Sequence, residues 1–211
     1  LLSFFTSLII VYLFSSCNFY PFIYKNKIFN PVEIPAIPKK LKEWLSEHFQ
    51  FFPAKMAGEK QSGDETKKYL FGLSDGNFIE CVLLKAPSED GGIRKTLCLS
   101  TQVGCACACK FCASALRGFV RNLTAEEIIS QALPFVEETI DNGKRIRRFE
   151  FENIVVMGMG EPLINYTNLM SALKVFNSAE KFAFGARRIT VSTCGIADRL
   201  EKLPEDGFPY R

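Results

Sequence analysis

The sequence predicts an α/β protein, part of a (βα) barrel preceded by a small α+β module. Three observations carry that reading. From residue 93 onward, apolar runs alternate with stretches of helical period, the pattern of parallel strands joined by helical crossovers. The chemically distinctive residues fall just after the apolar runs, where α/β sheets and barrels build their sites. Before residue 93 the pattern changes to one amphipathic helix and a hairpin. The chain has 211 residues, 47% of them hydrophobic, with 20 Phe. That is enough apolar material for a sizeable core and excludes a disordered chain.

Three segments are expected: 1–29, 30–92 and 93–211. The first has no charge from Leu1 to Tyr24, and LLSFFTSLIIVYLF is apolar enough to be a membrane-span candidate. No basic stretch precedes it and LFSSC is a poor lipoprotein-type cleavage site, so an atypical N-terminus is expected, with no stable membrane partner. A genuine membrane or signal segment is the alternative.

In the second segment, three prolines in NPVEIPAIPKK mark a boundary. Leu41, Trp44, Leu45 and Phe52 then recur at helical spacing, and the polar stretch AGEKQSGDETKK follows. Two β-rich runs flank Ser74-Asp75-Gly76-Asn77, a hairpin signature.

In the third segment, TLCLSTQV reads as a strand and leads into a cysteine loop. Thr124-Ala-Glu-Glu127 is a capping box that starts a helix, with Ile128, Ile129, Ala132, Leu133 and Val136 as its apolar face. Pro134 is expected to kink that helix. IVVMGMGEP is a strand ending in a glycine-rich turn. A helix over Tyr166–Ala179, the strand RRITVSTCG and a helix in IADRLEKL complete the series.

Four of the eight cysteines fall between residues 105 and 112. Disulfide-stapled secreted domains spread their cysteines over many loops, so this cluster points to a metal site in a reducing compartment, the cytoplasm. Cys105-x3-Cys109-x2-Cys112 supplies three soft thiolates. Three ligands on a four-iron cluster leave one iron open for a small molecule. A structural zinc site that recruits Cys107, or a redox pair at Cys109 and Cys112, is the competing reading.

TLCLSTQVGC, CKFCAS, RGFVRNLTAEEIISQ, MGMGEPL and RRITVSTCG stand in an order and spacing that resemble the RlmN-type RNA (adenine-C2) methyltransferases, of the radical S-adenosylmethionine superfamily. The resemblance covers about residues 40–211. It implies that Cys105, Cys109 and Cys112 hold a [4Fe-4S] cluster and that Gly160, Glu161 and Ser192 contact S-adenosyl-L-methionine. It further implies that Cys98 is one of two catalytic cysteines and Glu80 a proton acceptor. The implied partners are 23S rRNA, tRNA and an electron donor such as flavodoxin.

In such enzymes a cysteine is first methylated, and a deoxyadenosyl radical then takes a hydrogen from the methyl group. The carbon radical adds to the electron-poor C2 of adenine, and the second cysteine helps resolve the link. None of the eight cysteines matches the methyl-carrying one, which is expected beyond Arg211, so the chain reads as an N-terminal part. Cys194 sits too early to match it, and Cys81 and Cys107 read as structural or incidental. The rivals are an adenine-C8 methyltransferase of the same superfamily and a non-catalytic, zinc-stabilised RNA-binding module.

A formal charge of +3 is compatible with nucleic acid without arguing for it. Lys144, Arg145, Arg147 and Arg148 read as a solvated loop. Arg117 and Arg121, beside the cysteine loop, are equally suited to phosphate contacts or to structure. His48, the only histidine, reads as structural.

Overall fold

A computed structural model describes residues 38–48, 54–141, 144–179 and 181–209. Residues 1–29, and with them the hydrophobic segment, lie outside these, as does Phe52. No helix among the described residues is long and apolar enough to cross a membrane. The chain divides into two compact units, one of residues 1–52 with 134–149, the other of 53–133 with 150–211.

Within the first unit, α1 (Lys39–His48) is the expected amphipathic helix. The second unit begins with β1 (Ala54–Gln61), which runs into the polar stretch for which the sequence predicts no element. Every residue of β1 after Ala54 is exposed. An edge strand needs only one paired side and tolerates the Lys, Glu and Gln that masked it in the sequence. β2 (Lys67–Leu73) and β3 (Phe78–Pro87) form the expected hairpin, with Gly76 at φ +83° in the turn. β4 (Ile93–Cys98) pairs antiparallel with β3.

TLCLSTQV is therefore two strands, β4 and the three-residue β5 (Gln102–Gly104), which pairs with β6 (Phe119–Asn122) in a separate ribbon. The break has a cause in Ser100. Its backbone N–H donates to the Gln131 side-chain oxygen, and its carbonyl accepts from the Gln131 amide, both at 2.9 Å. A side chain thus replaces a neighbouring strand as its partner.

α2 (Ala125–Ser130) starts at the expected capping box: Glu127 N–H donates to Thr124 Oγ1 at 3.2 Å and Thr124 N–H to Glu127 Oε2 at 2.9 Å. Its end is a correction. No kinked helix runs past Pro134; a 3₁₀ turn at Leu133–Phe135 follows, and then β7 (Val136–Asp141). Proline lacks the N–H that a continuing helix would need, and it disfavours helical backbone in the residue before it.

β7 pairs with β8 (Lys144–Phe149) inside the first unit, so the basic run is a strand and not a loop. Its register sets Glu137 opposite Arg148, Glu138 opposite Arg147 and Asp141 opposite Lys144. An opposite-charge pair such as Glu137 and Arg148 on facing residues stabilises a ribbon by a few tenths of a kcal/mol up to about 1 kcal/mol.

β9 (Asn153–Val156), α3 (Tyr166–Asn177), β10 (Ile189–Val191) and the short α4 (Ala197–Leu200) close the series. The third expected helix is thus one turn, followed by a 3₁₀ turn at Leu203–Asp206, with Pro204 near its start. The large sheet has the order β1-β2-β3-β4-β9-β10. β4, β9 and β10 are parallel as expected, while β1 to β4 are antiparallel, so strands on both sides of residue 92 share one mixed sheet.

Its two faces differ. Phe71, Ile79, Cys81, Leu83, Leu97 and Ile154 are at most 1% exposed and form the core side. Near the β9–β10 edge, Val156 packs with Leu163, Leu169, Met170 and Leu173 of the loop and helix that follow β9. Side chains of this size stabilise the fold by about 1.5–3 kcal/mol each when fully buried. On the other face lie the residues of opposite parity: Leu70, Glu80, Val82, Cys98, Val155 and Thr190, linked by cross-strand register. Several of these are exposed or half-buried, so this face is open.

Candidate functional site

The site lies at the C-terminal ends of the parallel strands, where three loops meet: the cysteine loop after β5, the turn after β9 and the loop after β10. Each is held by buried polar side chains. Gln102, fully buried, accepts from Glu161 N–H through Oε1 at 2.9 Å and donates from Nε2 to Asn122 Oδ1 at 2.8 Å. Asn165 donates to the carbonyls of Thr101 and Leu123 at 2.8 and 2.7 Å. Ser100 Oγ donates to Glu80 O and accepts from Met159 N–H. A buried polar group costs stability unless bonded. Here the bonds to Glu161 N–H, Met159 N–H and the carbonyls of Thr101 and Leu123 go to backbone outside the strands, and so they set the loops' positions. Among the described residues, the Thr101 hydroxyl is the buried side-chain atom left without a partner.

The cysteine loop leaves β5 at Gly104 and returns at Gly118. Gly104 has φ +74°, and a Cβ there would stand 1.7 Å from the Gly118 carbonyl oxygen. Cys105 N–H donates to that same oxygen at 3.2 Å, which closes the loop's neck. Cys105, Cys109 and Cys112 are half-buried free thiols within this one loop. That donor set fits an iron–sulfur cluster: soft, unpaired, and confined to one short, anchored segment. Phe111 and Leu116, 93% and 89% exposed, flank it with apolar surface.

Glu161 is the hub of the other two loops. Only 4% exposed, its carboxylate accepts from Leu163 N–H (2.9 Å), Thr193 Oγ1 (2.6 Å) and Cys194 N–H (2.8 Å). Burial pushes its pKa up, but the bonds from Thr193, Cys194 and Leu163 outweigh burial and hold it below the ordinary value. The carboxylate therefore fastens the turn after β9 to the loop after β10. The expectation that it contacts S-adenosyl-L-methionine meets a side chain already engaged three times within the protein. Gly160 is required for packing as well: at φ +107°, a Cβ would stand 2.6 Å from the Gln102 side chain.

Ser192 is exposed just past β10, its N–H on Val156 O at 3.4 Å. Cys98 is 8% exposed at the end of β4, and burial raises its thiol pKa, partly offset by a backbone bond from Met157. Glu80 shares the open face with Cys98, and its carboxylate pairs with Lys68 at 3.1 Å. The strands thus bring Glu80 and Cys98 to one face, with Ser192 following the same parity beyond Thr190.

Arg121 does not face outward as a phosphate ligand would. Its guanidinium binds Glu127 in a fork (2.7 and 2.8 Å) and reaches Asp75 at 2.5 Å. The Arg121 side chain holds the Asp75 carboxyl well below its usual range, chiefly through that hydrogen bond. Glu127, 3% exposed, also closes the capping box, so one carboxylate ties β6 to the start of α2. Arg121→Met should therefore lower stability in urea by about 2–4 kcal/mol, because it strands a buried carboxylate. The double variant Arg121→Met/Glu127→Leu should recover a large part of that loss.

Sequence reading did not single out Gln102, Asn165, Thr193 or the pairing of Cys107 with Cys194. The last two lie with their Sγ atoms 3.3 Å apart, and their sulfurs and a Glu161 oxygen fall within 4.8 Å of one another. Burial, the bond to Cys194 and neighbouring negative charge push the Cys107 thiol up to about 12. The bond to Cys107 lowers the Cys194 thiol, but the Glu161 carboxylate and burial leave it raised. Gln102 lies two positions from Gly104 and Thr193 two from Gly195, which was the available signal for these two.

No protein-family model matches the chain. A crystal structure of a radical SAM methyltransferase from Sphaerobacter thermophilus superposes with a TM-score of 0.73 at 34% identity, over 91% of this chain and 54% of that one. The fold is thus that of the radical S-adenosylmethionine methyltransferase class. The chain is 42% identical to a probable dual-specificity RNA methyltransferase RlmN 3 of Opitutus terrae, over 94% of its own length and 54% of the relative's. It is 41% identical to a dual-specificity RNA methyltransferase RlmN of Lawsonia intracellularis, over 93% and 54%. The chain belongs to the RlmN family of RNA methyltransferases, and it spans about half the length of these curated relatives.

Proposed function

We propose that the protein is a radical S-adenosylmethionine enzyme that methylates C2 of adenosine in 23S rRNA and tRNA, and that these residues build its cofactor-binding part. The single observation behind this reading is the anchored three-thiol loop beside the Glu161-fastened loops, in a chain about 40% identical to named RNA methyltransferases. On this reading residues 93–211 belong to a βα barrel, begun by β4, β9 and β10, and residues 30–92 to a module whose strands extend its sheet.

Cys105, Cys109 and Cys112 would hold a [4Fe-4S] cluster, which supplies the electron that cleaves S-adenosylmethionine. An electron donor such as flavodoxin would feed it. Gly160 and Glu161 shape the turn that faces the cofactor, and Ser192 contributes a hydroxyl from the loop that Glu161 holds. Cys98 would act as the resolving thiol. Its burial keeps it protonated at rest, which protects it from oxidation until a partner draws the proton away. Glu80, on the same face, would be the proton acceptor, and Lys68 is its ion-pair partner.

The test is anaerobic reconstitution with iron and sulfide. The expected result is a brown protein that, once reduced, cleaves S-adenosylmethionine to deoxyadenosine. Cys109→Ala should lower iron retention and cleavage by more than about 100-fold, beyond what loss of an outer-shell partner costs. A colourless protein that loads zinc instead would sink the reading. Nucleoside mapping of RNA treated with a longer chain that also carries the methyl-bearing cysteine should find the methyl group on C2; methyl on C8 would reassign the position attacked.

A further inference from the structure

Cys107 and Cys194 lie outside the proposed cluster donor set and have no part in the chemistry above. They are 87 residues apart in sequence, yet their Sγ atoms stand 3.3 Å apart. We propose that they form a redox-active dithiol that closes to a disulfide, joining the cysteine loop to the loop after β10. The geometry is specific. A disulfide bond is about 2.05 Å long, so the sulfurs need to approach by only about 1.3 Å. Both residues sit in irregular backbone, where such a shift breaks no helix or strand ladder. The Cys194 backbone is held in place by its N–H bond to Glu161 Oε2, and Cys107 N–H donates to Cys105 Sγ at 3.5 Å. The pair is therefore positioned by the same polar network that builds the site.

A metal chelate is the other arrangement for two thiols and a carboxylate. It is disfavoured here because Glu161 already accepts three hydrogen bonds. Cys194 is exposed and Cys107 half-buried, so a small reagent meets Cys194 first. With a low-molecular-weight disulfide as oxidant, the Cys194 thiol loses its proton and attacks one sulfur, forming a mixed disulfide and expelling one thiol. Cys107 then gives up its proton and attacks Cys194 Sγ, expelling the second thiol. Two protein thiols are oxidised, one small disulfide is reduced, and the two protons leave on the departing thiols. The bridge would fix the cysteine loop against the segment carrying Ser192.

The experiment uses the full chain with its cluster reconstituted, treated anaerobically with glutathione disulfide and digested without reduction. The expected product is a linked pair of peptides containing Cys107 and Cys194, released by dithiothreitol and lost in both Cys107→Ser and Cys194→Ser. A link that survives either substitution would overturn the proposal. So would independent alkylation of both thiols by iodoacetamide after oxidation, or two thiols left unreactive with zinc bound between them. The readout is a covalent bond, so it stands or falls separately from S-adenosylmethionine cleavage.

Discussion

Replacing Gly104 by alanine is expected to cost the protein the cysteine loop. The new Cβ would stand 1.7 Å from the Gly118 carbonyl oxygen and 2.9 Å from its carbon, both backbone atoms that no rotamer change can move. Relief requires the neck of the loop to open, which breaks the Cys105 N–H bond to the same oxygen. The positive φ at residue 104 adds strain for any residue with a Cβ. Together these place the loss above about 3 kcal/mol. The denaturant midpoint should fall accordingly, and the variant should retain little iron after reconstitution. Gly118→Ala is the informative comparison: φ there is +66°, but the space is open, so only the backbone strain applies. It should cost about 1–2 kcal/mol and leave iron binding largely intact. Equal losses in the two variants would show that strain, and not the collision at the neck, sets the outcome.

The core of the fold was legible wherever one period dominated. Leu169, Met170, Leu173 and Phe176 follow helical spacing and are all buried in α3. The capping box at Thr124 and the turn at Ser74–Asn77 formed as local chemistry dictates. The misreadings came from residues whose partners are distant. Ser100 ends a strand because Gln131, 31 residues away, takes its backbone bonds. β7 and β8 carried a usable signal, since Asn142-Gly143 separates two runs of opposite charge. The helical face from Ile128 to Val136 pointed the other way, and Pro134 decided between them.

The site divides along the same line. Cys105, Cys109 and Cys112 are close in sequence, so their spacing carries their chemistry. The resemblance singled out Glu161 in the turn it occupies. Two of its three donors were not legible, because Thr193 and Cys194 reach it from more than 30 residues away. Arg121 shows the converse: a cation beside a cofactor loop suggested phosphate, while its partners Asp75 and Glu127 lie 46 and 6 residues off.

Because Glu161 joins two loops through one carboxylate, its removal should be felt in both. Glu161→Ala leaves the N–H groups of Leu163 and Cys194 and the Thr193 hydroxyl without their acceptor. Buried donors stripped of partners cost about 1–3 kcal/mol each, less where water enters, so a loss of about 3–5 kcal/mol is expected. Glu161→Gln keeps the shape and one acceptor oxygen and should lose about 1–2 kcal/mol. Hydrogen exchange at the Cys194 amide is the local readout, and it should accelerate in both variants, most in alanine.

The pH dependence follows from the sign of the shift. The folded pKa of Glu161 lies below its ordinary 4.5. Its contribution is therefore complete above that value and fades as the pH falls through the lower, folded value. Wild-type protein should lose stability across that acid window more steeply than Glu161→Gln, which has no proton to take up there. Identical acid limbs would mean that the Glu161 pKa is the same in the folded and unfolded chain, so that the bonds to its carboxylate do not favour the charged form.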